Sequence, residues 1–372
     1  MRDVIALVNL HNSSELKPLT NSRPLASTTF LGRFTFIDFA LSNLTNSGID
    51  NIGILVKNHS RSIFKHLGNG TNYLKNPKTG FQSLFINELG LTNPGFNTDI
   101  NNIKENDWFL YDKDAKYIIV VPIQFVYRVN FNEIIKEHIK AQHMISLVYL
   151  PTEEADQKYL NCDKITVDVL ENVQKISNNT GDRKKAYISL ETYIFNVDYL
   201  RDLLRRSASI SSMFTLRDFV TYICNYEQKI HAIKYEGYCR YYGDLKDYYN
   251  YSFELLDDEK CRNSLFDDNW EYYTTTHNTC PTLYGVNVDI SNSFLANGCY
   301  VDGVVKHSIL SRNVIIEEGA VVENCIIFTD TRIKKGVHIK NAIIDKHCVI
   351  QNKKVIEGDE TNPLYIPQGA II

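Results

Sequence analysis

Polar side chains follow directly after the first strand that the sequence predicts. Residues 3–9 (DVIALVN) form an apolar run typical of a buried strand, and residues 10–15 (LHNSSE) come next. In an α/β nucleotide-binding domain this first turn carries glycines, which let backbone N–H groups approach the phosphates. No glycine occurs before Gly32. The chain therefore has a loop where a phosphate site is expected, but it lacks the glycines that such a site uses.

Strands and helices alternate around this loop. Residues 36–47 carry apolar side chains at helical spacing, with Gly48 as the predicted C-cap, and Asn130 with Glu133 predicts another helix start. Apolar runs predict further strands at residues 52–56, 117–121, 144–150 and 187–196. Such alternation is typical of a Rossmann-like α/β domain with a mostly parallel sheet, which we place at residues 1–256.

The apolar period changes near the C-terminus. Residues 257–282 are acidic and Thr-rich, which predicts a linker, and residues 283–372 carry apolar side chains about every six residues. The predicted inward positions are Val304, Leu310, Ile316, Val322, Phe328, Ile333, Ile339, Ile344 and Ile350. A companion strip lies two positions earlier, from Asp302 to Cys348. This hexapeptide repeat predicts a left-handed parallel β-helix rather than an antiparallel sandwich.

The composition excludes several classes of protein. Of the 372 residues, 44% are hydrophobic and 23% are charged, which is typical of a folded chain with a sizeable core. The net charge is −4 and no basic stripe is present, so we expect no nucleic-acid partner. The eight cysteines form no C-x-x-C pair, which argues against a zinc site and a disulfide scaffold. No membrane-length apolar run occurs, and we expect a cytoplasmic protein.

A nucleotide-binding domain followed by a β-helix resembles the sugar-nucleotide pyrophosphorylases. Residues 16–49, with the block IDFALSN followed by NSGI, resemble glucose-1-phosphate adenylyltransferase, the ADP-glucose pyrophosphorylase of glycogen synthesis. The stretches NSFLANGCYVDGVVKHSIL and AIIDKHCVI are also similar to that family. The resemblance covers nearly the whole chain.

The catalytic loop of that family is similar to G-G-x-G-T-R-L. Counted backward from Leu16, it corresponds here to Leu10, His11, Asn12, Ser13, Ser14 and Glu15. All three glycines are absent, and Glu15 stands where the resemblance implies an arginine. Like charges about 5 Å apart at an effective dielectric near 20 repel by roughly 3 kcal/mol, so this exchange disfavours phosphate binding.

The other motifs of the family are also altered. Leu25 stands where the motif R-A-K-P implies a lysine, and Gln124 stands where G-D-H-I-Y implies an aspartate that binds Mg²⁺. Asp218 resembles the aspartate of G-K-D-I, and a solvated residue in the first turn of a helix explains it equally well. One of the two metal ligands is thus retained.

These losses predict a pseudoenzyme that resembles the regulatory subunit type found beside catalytic subunits in some bacteria. We expect homo- or hetero-oligomers, a catalytic paralogue as partner and no cofactor. The alternative is an active adenylyltransferase that forms ADP-glucose and pyrophosphate from ATP and glucose 1-phosphate with Mg²⁺.

Two further patterns have simpler explanations. His307, His338 and His347 could suggest a hexapeptide acyltransferase, but the large α/β domain disfavours it. The basic run at 182–185 is typical of a solvated loop, with an anionic metabolite effector as the sharper alternative.

Overall fold

The chain folds into two compact units, each built from separate segments. The computed structural model describes residues 3–68, 70–74, 80–227, 229–351 and 354–372. The first unit comprises the residues up to 14, 37–243 and 267–273, and the second comprises 15–36, 244–266 and the residues from 274 onward. Because each unit combines segments that are separate in the sequence, the division between the units does not coincide with the predicted boundaries at 256 and 282. The predicted linker itself contains a helix at Glu259–Leu265.

The helices range from one to four turns. In chain order they are α1 (Phe36–Asn46), α2 (Ser60–Leu67), α3 (Glu88–Thr92), α4 (Asp99–Glu105), α5 (Phe131–Ala141), α6 (Val197–Ile210), α7 (Leu216–Tyr226), α8 (Leu245–Asp257) and α9 (Glu259–Leu265). Short 3₁₀ turns lie at Leu25–Ser27, Thr71–Tyr73, Pro94–Phe96 and Asp107–Tyr111. Within the described ranges, no helix is both long and apolar enough to cross a membrane.

The strands before residue 245 include those of the large sheet. They are β1 (Val4–Asn9), β2 (Thr29–Phe30), β3 (Phe34–Thr35), β4 (Asn51–Val56), β5 (Phe81–Ile86), β6 (Tyr117–Pro122), β7 (Phe125–Tyr127), β8 (Ile145–Thr152), β9 (Asp163–Val167), β10 (Asn172–Asn178), β11 (Ala186–Asn196), β12 (Ile230–Lys234) and β13 (Cys239–Tyr241).

Nine of these strands form one sheet in the first unit, in the order β5-β4-β1-β6-β11-β8-β12-β10-β9. The strands from β5 to β6 pair in parallel, as do β8 and β12, whereas β11 and β10 run antiparallel to their neighbours. Seven of the nine described strands thus share one direction, as expected for a mostly parallel sheet. Asn9 pairs with Leu55 and with Pro122, so the ends of β4, β1 and β6 meet at one edge. Ligands bind at such an edge in α/β sheets.

The second unit contains short parallel strands that wind as a β-helix. They are β14 (Leu283–Tyr284), β15 (Asp289–Ser291), β16 (Phe294–Leu295), β17 (Tyr300–Val301), β18 (Val304–Lys306), β19 (Ile309–Leu310), β20 (Ile315–Ile316), β21 (Val321–Ile327), β22 (Arg332–Ile333), β23 (His338–Ile344), β24 (Val349–Ile350), β25 (Val355–Glu357) and β26 (Leu364–Ile366). The hexapeptide prediction is therefore confirmed.

The inward phase of the β-helix differs from the prediction at two positions. Val305 and Ile327 belong to the buried core, in place of the predicted Val304 and Phe328. Paired strands in the later coils are offset by 17 residues, as in Val304 with Val321 and Ile309 with Ile326, so one side of each coil has five residues rather than six. The prediction has five-residue steps after Phe328 and Ile339, whereas the core of the structure has them after Val305, Val322 and Ile339.

The second unit also buries an ion pair. Arg23 pairs with Asp345, and the two side chains are 5% and 1% exposed. Asp345 accepts further hydrogen bonds from the Tyr365 hydroxyl at 2.7 Å and the Lys346 N–H at 2.7 Å. Phe328 lies under this pair, with the Arg23 guanidinium 5.8 Å from its ring centre. These contacts fix the segment 15–36 on the β-helix.

Candidate functional site

The first two backbone N–H groups after β1 are hydrogen-bonded within the protein. The Leu10 N–H donates to the Leu55 carbonyl at 3.1 Å, and the His11 N–H donates to Asn9 Oδ1 at 3.0 Å. The Ser13 hydroxyl donates back to the Leu10 carbonyl at 2.9 Å. All residues from 10 to 15 have negative φ, so the loop has no need of glycine. A phosphate loop, in contrast, directs such N–H groups at its ligand.

His11 is buried and neutral. Its side chain is 4% exposed, and the Asn102 amide lies 3.0 Å from its Nε2. Burial and, to a smaller extent, the nearby Lys57 cation lower the pKa of His11 to about 4. Lys57 is held by the His11 carbonyl at 3.3 Å. At neutral pH the imidazole therefore contributes no positive charge to this edge of the sheet.

Asp99, the first residue of α4, ties the loop to its neighbours. Its carboxylate accepts from the Asn9 amide at 2.7 Å and from the Leu216 and Ile100 N–H groups at 2.8 and 2.9 Å. Burial nevertheless raises the pKa of Asp99 above its ordinary value. This carboxylate is occupied by structural hydrogen bonds at the ends of β1, α4 and α7.

Gln124 follows β6 at the same edge. It is 1% exposed, and its Nε2 donates to Glu191 Oε2 at 3.1 Å. Glu191 lies in β11 with a φ of 48°, where the pairing with β8 shifts register between Ser189 and Thr192. A positive φ is uncommon for a non-glycine residue and here belongs to a β-bulge. The bulge directs the Glu191 carboxylate at Gln124.

Arg217 provides the main positive charge of this group. Its Nε and one terminal nitrogen each lie 2.6 Å from an Asp163 carboxylate oxygen, and another nitrogen lies 3.7 Å from Glu191 Oε1. Such bidentate pairing is the strongest arrangement of an arginine with a carboxylate. Burial raises the pKa of Glu191 to about 7, although the Arg217 cation acts to lower it. The effect of Arg217 on Glu191 is limited because its short contacts are with Asp163. We call Gln124, Glu191, Arg217 and Asp163 the polar cluster.

Glu191→Gln tests the electrostatics of the polar cluster. The folded pKa near 7 lies above the ordinary value of 4.5, so the folded state binds this proton more tightly than the unfolded chain. Wild-type stability should therefore fall as pH rises from about 5 to 7. The variant lacks this titrating carboxylate. We therefore expect its free energy of unfolding, relative to that of wild type, to rise by about 2–3 kcal/mol between pH 5 and 8 in urea unfolding. Glu133→Gln, on the exposed face of α5, is the control. The same stability difference at both pH values would contradict the prediction.

The two predicted metal positions differ from a pair of Mg²⁺-binding aspartates. Gln124 is a neutral amide that contacts Glu191, and Asp218 is exposed and caps α7. One Asp218 oxygen accepts from the Thr215 N–H at 3.1 Å and from its hydroxyl at 2.7 Å, which completes a capping box. Among the described residues, the three-ligand group of His, Asp, Glu or Cys that could hold a metal includes neither position.

Glu15 and Leu25 belong to the second unit. Glu15 is exposed and pairs with Lys17 at 2.7 Å, so its charge is partly compensated and the predicted repulsion of phosphate is weaker than the sequence suggests. Leu25 is 1% exposed in a 3₁₀ turn, where its side chain packs instead of binding phosphate. Asn12 and Ser14 are half-buried in the first unit.

Tyr241 is a site residue that the sequence argument missed. Strand β13 pairs with β7, which places Tyr241 opposite Phe125, one residue after Gln124. The Ser14 hydroxyl donates to the Tyr241 oxygen at 3.2 Å, and burial raises the pKa of Tyr241 to about 12. The aromatic ring thereby joins the loop to the segment around Gln124.

The sequence did contain a signal for Glu191. A single acidic residue interrupts an otherwise buried run, YISLETYIFN, and a buried carboxylate requires a partner. Asp163 and Arg217 are 54 positions apart, so only the fold reveals that they pair.

A cleft with a volume of about 830 Å³ lies elsewhere in the first unit. Its basic residues are Lys164, Lys175, Arg183 and Lys185, and its acidic residues are Glu153 and Asp182. Four positive charges against two negative charges leave a net charge of +2. The basic run at 182–185 therefore lines a cleft, where an anion would be attracted.

Comparison with known proteins agrees with this architecture. Residues 12–258 match the family model described as nucleotidyl transferase, and residues 282–363 match that described as GlmU-like, C-terminal hexapeptide. A glucose-1-phosphate adenylyltransferase of Bacillus cereus is 25% identical over 93% of this chain and 92% of its own length. Those of Fervidobacterium nodosum and Pseudothermotoga lettingae are each 28% identical, over 95% and 97% of this chain and 85% and 86% of their own.

Proposed function

Since the chain belongs to the nucleotidyl transferase family, we propose that it is a catalytically deficient, regulatory subunit of glucose-1-phosphate adenylyltransferase. In this role it assembles with a catalytic paralogue in glycogen synthesis and changes the activity of that partner. The similarity to adenylyltransferases over more than nine-tenths of the chain supports the choice of reaction.

The contact between Gln124 and Glu191 is the observation that carries the proposed deficiency. It places a neutral amide and a buried carboxylate where the resemblance implies a metal-binding aspartate. An amide binds Mg²⁺ far less well than a carboxylate, and Glu191 is already bound by its neighbours. The internally bonded N–H groups of Leu10 and His11 add to this, since they are not directed at a ligand.

The alternative function is an active adenylyltransferase that makes ADP-glucose and pyrophosphate with Mg²⁺. Asp218 favours it, because its exposed carboxylate remains at a predicted metal position. Its capping role at α7 explains the same residue without a metal. The regulatory subunit is therefore our first proposal, and it needs no cofactor.

Gln124→Asp alone should fail to restore catalysis. The new carboxylate would lie beside Glu191, and it would be disfavoured by the nearby negative charge, while the loop after β1 would stay unchanged. We expect ADP-glucose synthesis to remain within about tenfold of the wild-type chain, whose loop still lacks transition-state contacts. Recovery to the rate of an active adenylyltransferase would show that Gln124 alone limits the reaction.

An anionic metabolite is the proposed effector, and the cleft lined by Lys175 and Arg183 is its proposed site. Lys164 pairs with Asp182 and Lys185 pairs with Glu153 across this cleft. Lys175 and Arg183 are exposed cations of this cleft, and Arg183 Nε also lies 3.8 Å from the Asp182 carboxylate. We propose that the two cations bind a phosphate or carboxylate ligand.

The ends of the β-helix support subunit assembly. Val286 in the first coil is 97% exposed, and Val355 in the last coil is 77% exposed. Leu283 and Tyr284 are also exposed in the first coil. Apolar surface at solenoid ends is typical of interaction sites. We therefore propose dimers or tetramers that include the catalytic paralogue and use these coils.

Tyr284→Lys should weaken this assembly. An aromatic anchor at an interface commonly contributes enough to lower affinity about tenfold or more when it is lost. Co-expression with the paralogue and size-exclusion chromatography would measure joint elution of the wild type and of the variant. Tyr226→Lys is the control, because Tyr226 is also exposed, at 76% against 59% for Tyr284, but lies at the end of α7 in the first unit. Separate elution of the wild-type chains would rule the assembly out.

A further inference from the structure

A second group of metal-binding side chain types lies apart from the polar cluster. Glu137 lies on α5, His231 on β12 and Glu171 in the turn between β9 and β10. One ligand atom from each of the three lies within 4.8 Å of the other two. The three residues come from separate elements of the first unit, so the fold itself brings them together.

The imidazole of His231 has an unused nitrogen directed at this group. Its side chain is 7% exposed, and Nε2 has no hydrogen-bond partner although it is buried. The nearest carboxylate oxygen is Glu137 Oε1 at 3.7 Å, which is too long for a hydrogen bond. An unsatisfied buried polar atom is costly, and a bound ion is one way to satisfy it.

The turn that carries Glu171 is held beside β12. The Ala232 N–H donates to the Glu171 carbonyl at 2.7 Å, which keeps Glu171 next to His231. An imidazole nitrogen without a protein partner can present its lone pair to a metal ion.

We propose that His231, Glu137 and Glu171 bind one divalent zinc ion. Imidazole nitrogen and carboxylate oxygen are both zinc ligands, and three protein ligands leave a fourth position for water. Zinc bonds of about 2.0–2.2 Å require these ligand atoms to approach one another more closely than they do now. Glu137 and Glu171 can close this distance by side-chain rotation, since Glu137 is 45% exposed and Glu171 is exposed.

The ion would join three elements of the first unit. It would link α5, β12 and the β9–β10 turn, where β12 already pairs with β10 through His231 and Asn172. His143 stacks on His231 with ring centres 5.4 Å apart, and it supports the ring without belonging to the ligand group. Because the ion binds the folded chain, it should raise its thermal stability.

Equilibrium dialysis of the tag-free, full-length chain against Zn²⁺ tests the proposal. We expect the wild-type chain to bind one Zn²⁺ more than Glu137→Gln or Glu171→Gln does. In each of these variants the zinc affinity of this site should be lowered at least about tenfold. Both substitutions are on exposed side chains and keep their size, so the fold should be retained. Glu133→Gln on the same helix is the matched control and should bind as the wild type does.

Thermal unfolding with and without Zn²⁺ gives an independent readout. The ion should raise the melting temperature of the wild type and of Glu133→Gln, but not that of Glu137→Gln or His231→Gln. Equal zinc content and equal stabilisation in wild type and the Glu137 and Glu171 variants would overturn the proposal. Absence of zinc binding to the wild type at 100-fold molar excess would overturn it as well.

Discussion

The purified chain alone is expected to synthesise ADP-glucose at least about a hundredfold more slowly than an active glucose-1-phosphate adenylyltransferase. A hundredfold lower rate corresponds to about 3 kcal/mol of lost transition-state stabilisation. Removal of one preorganised hydrogen bond to the charge that develops in the transition state can cause a loss of this size. Here the Leu10 and His11 N–H groups after β1 are bonded internally, His11 is neutral and Gln124 stands where the resemblance implies a carboxylate.

This rate is measured as pyrophosphate release from ATP and glucose 1-phosphate at saturating substrate and Mg²⁺. An active relative, prepared in the same way, sets the reference rate. The inactive chain should also have an intact fold, which its thermal unfolding would show. A rate within tenfold of the reference would favour the alternative of an active enzyme.

Ile316→Asp is expected to destabilise the β-helix by several kcal/mol, because it buries a charge among apolar neighbours. Ile316 is fully buried in β20, and it stacks between Val301 and Ile333 of the adjacent coils. The described members of this core cluster are apolar or cysteine side chains, which cannot form an ion pair with a carboxylate. The carboxylate would therefore unfold the coils around it or be protonated at a large cost.

Ile315→Asp is the matched control for this prediction. Ile315 is the neighbouring residue of β20 and lies between Tyr300 and Arg332, which are exposed. Its substitution should cost much less, since the new carboxylate can reach water. Urea or thermal unfolding of both variants measures the difference. Equal melting temperatures of wild type and Ile316→Asp would show that the inward register is wrong.

Local patterns predicted most of the elements. The apolar run at 52–56 corresponds to β4, and the helical spacing at 36–47 corresponds to α1, which ends before Gly48 at a φ of 72°. Asn130 caps α5 by accepting from the Asn132 N–H, and its amide also contacts Glu133. These features depend on residues close in sequence, so the sequence is sufficient to predict them.

Features that depend on distant residues were missed. The segment 15–36 belongs with the β-helix, and its Arg23 forms an ion pair with Asp345, which lies 322 positions away in the sequence. The polar cluster was missed for the same reason, since Glu191, Arg217 and Asp163 come from separate elements. The prediction placed a five-residue step after Phe328, whereas the structure places it after Val322, so Ile327 is the inward residue. Charge pairing and coil length of this kind require the fold.

The regulatory role is tested most directly by three rates of ADP-glucose synthesis: this chain alone, the catalytic paralogue alone, and the two together. We expect a very low rate for this chain, and a mixture that differs from the paralogue in rate or in effector response by about five- to 150-fold, as expected for a coupling of 1–3 kcal/mol. A titration with this chain should saturate, because assembly is stoichiometric. A mixture whose rate and effector response equal those of the paralogue alone, at micromolar concentrations of both chains, would contradict the proposed function.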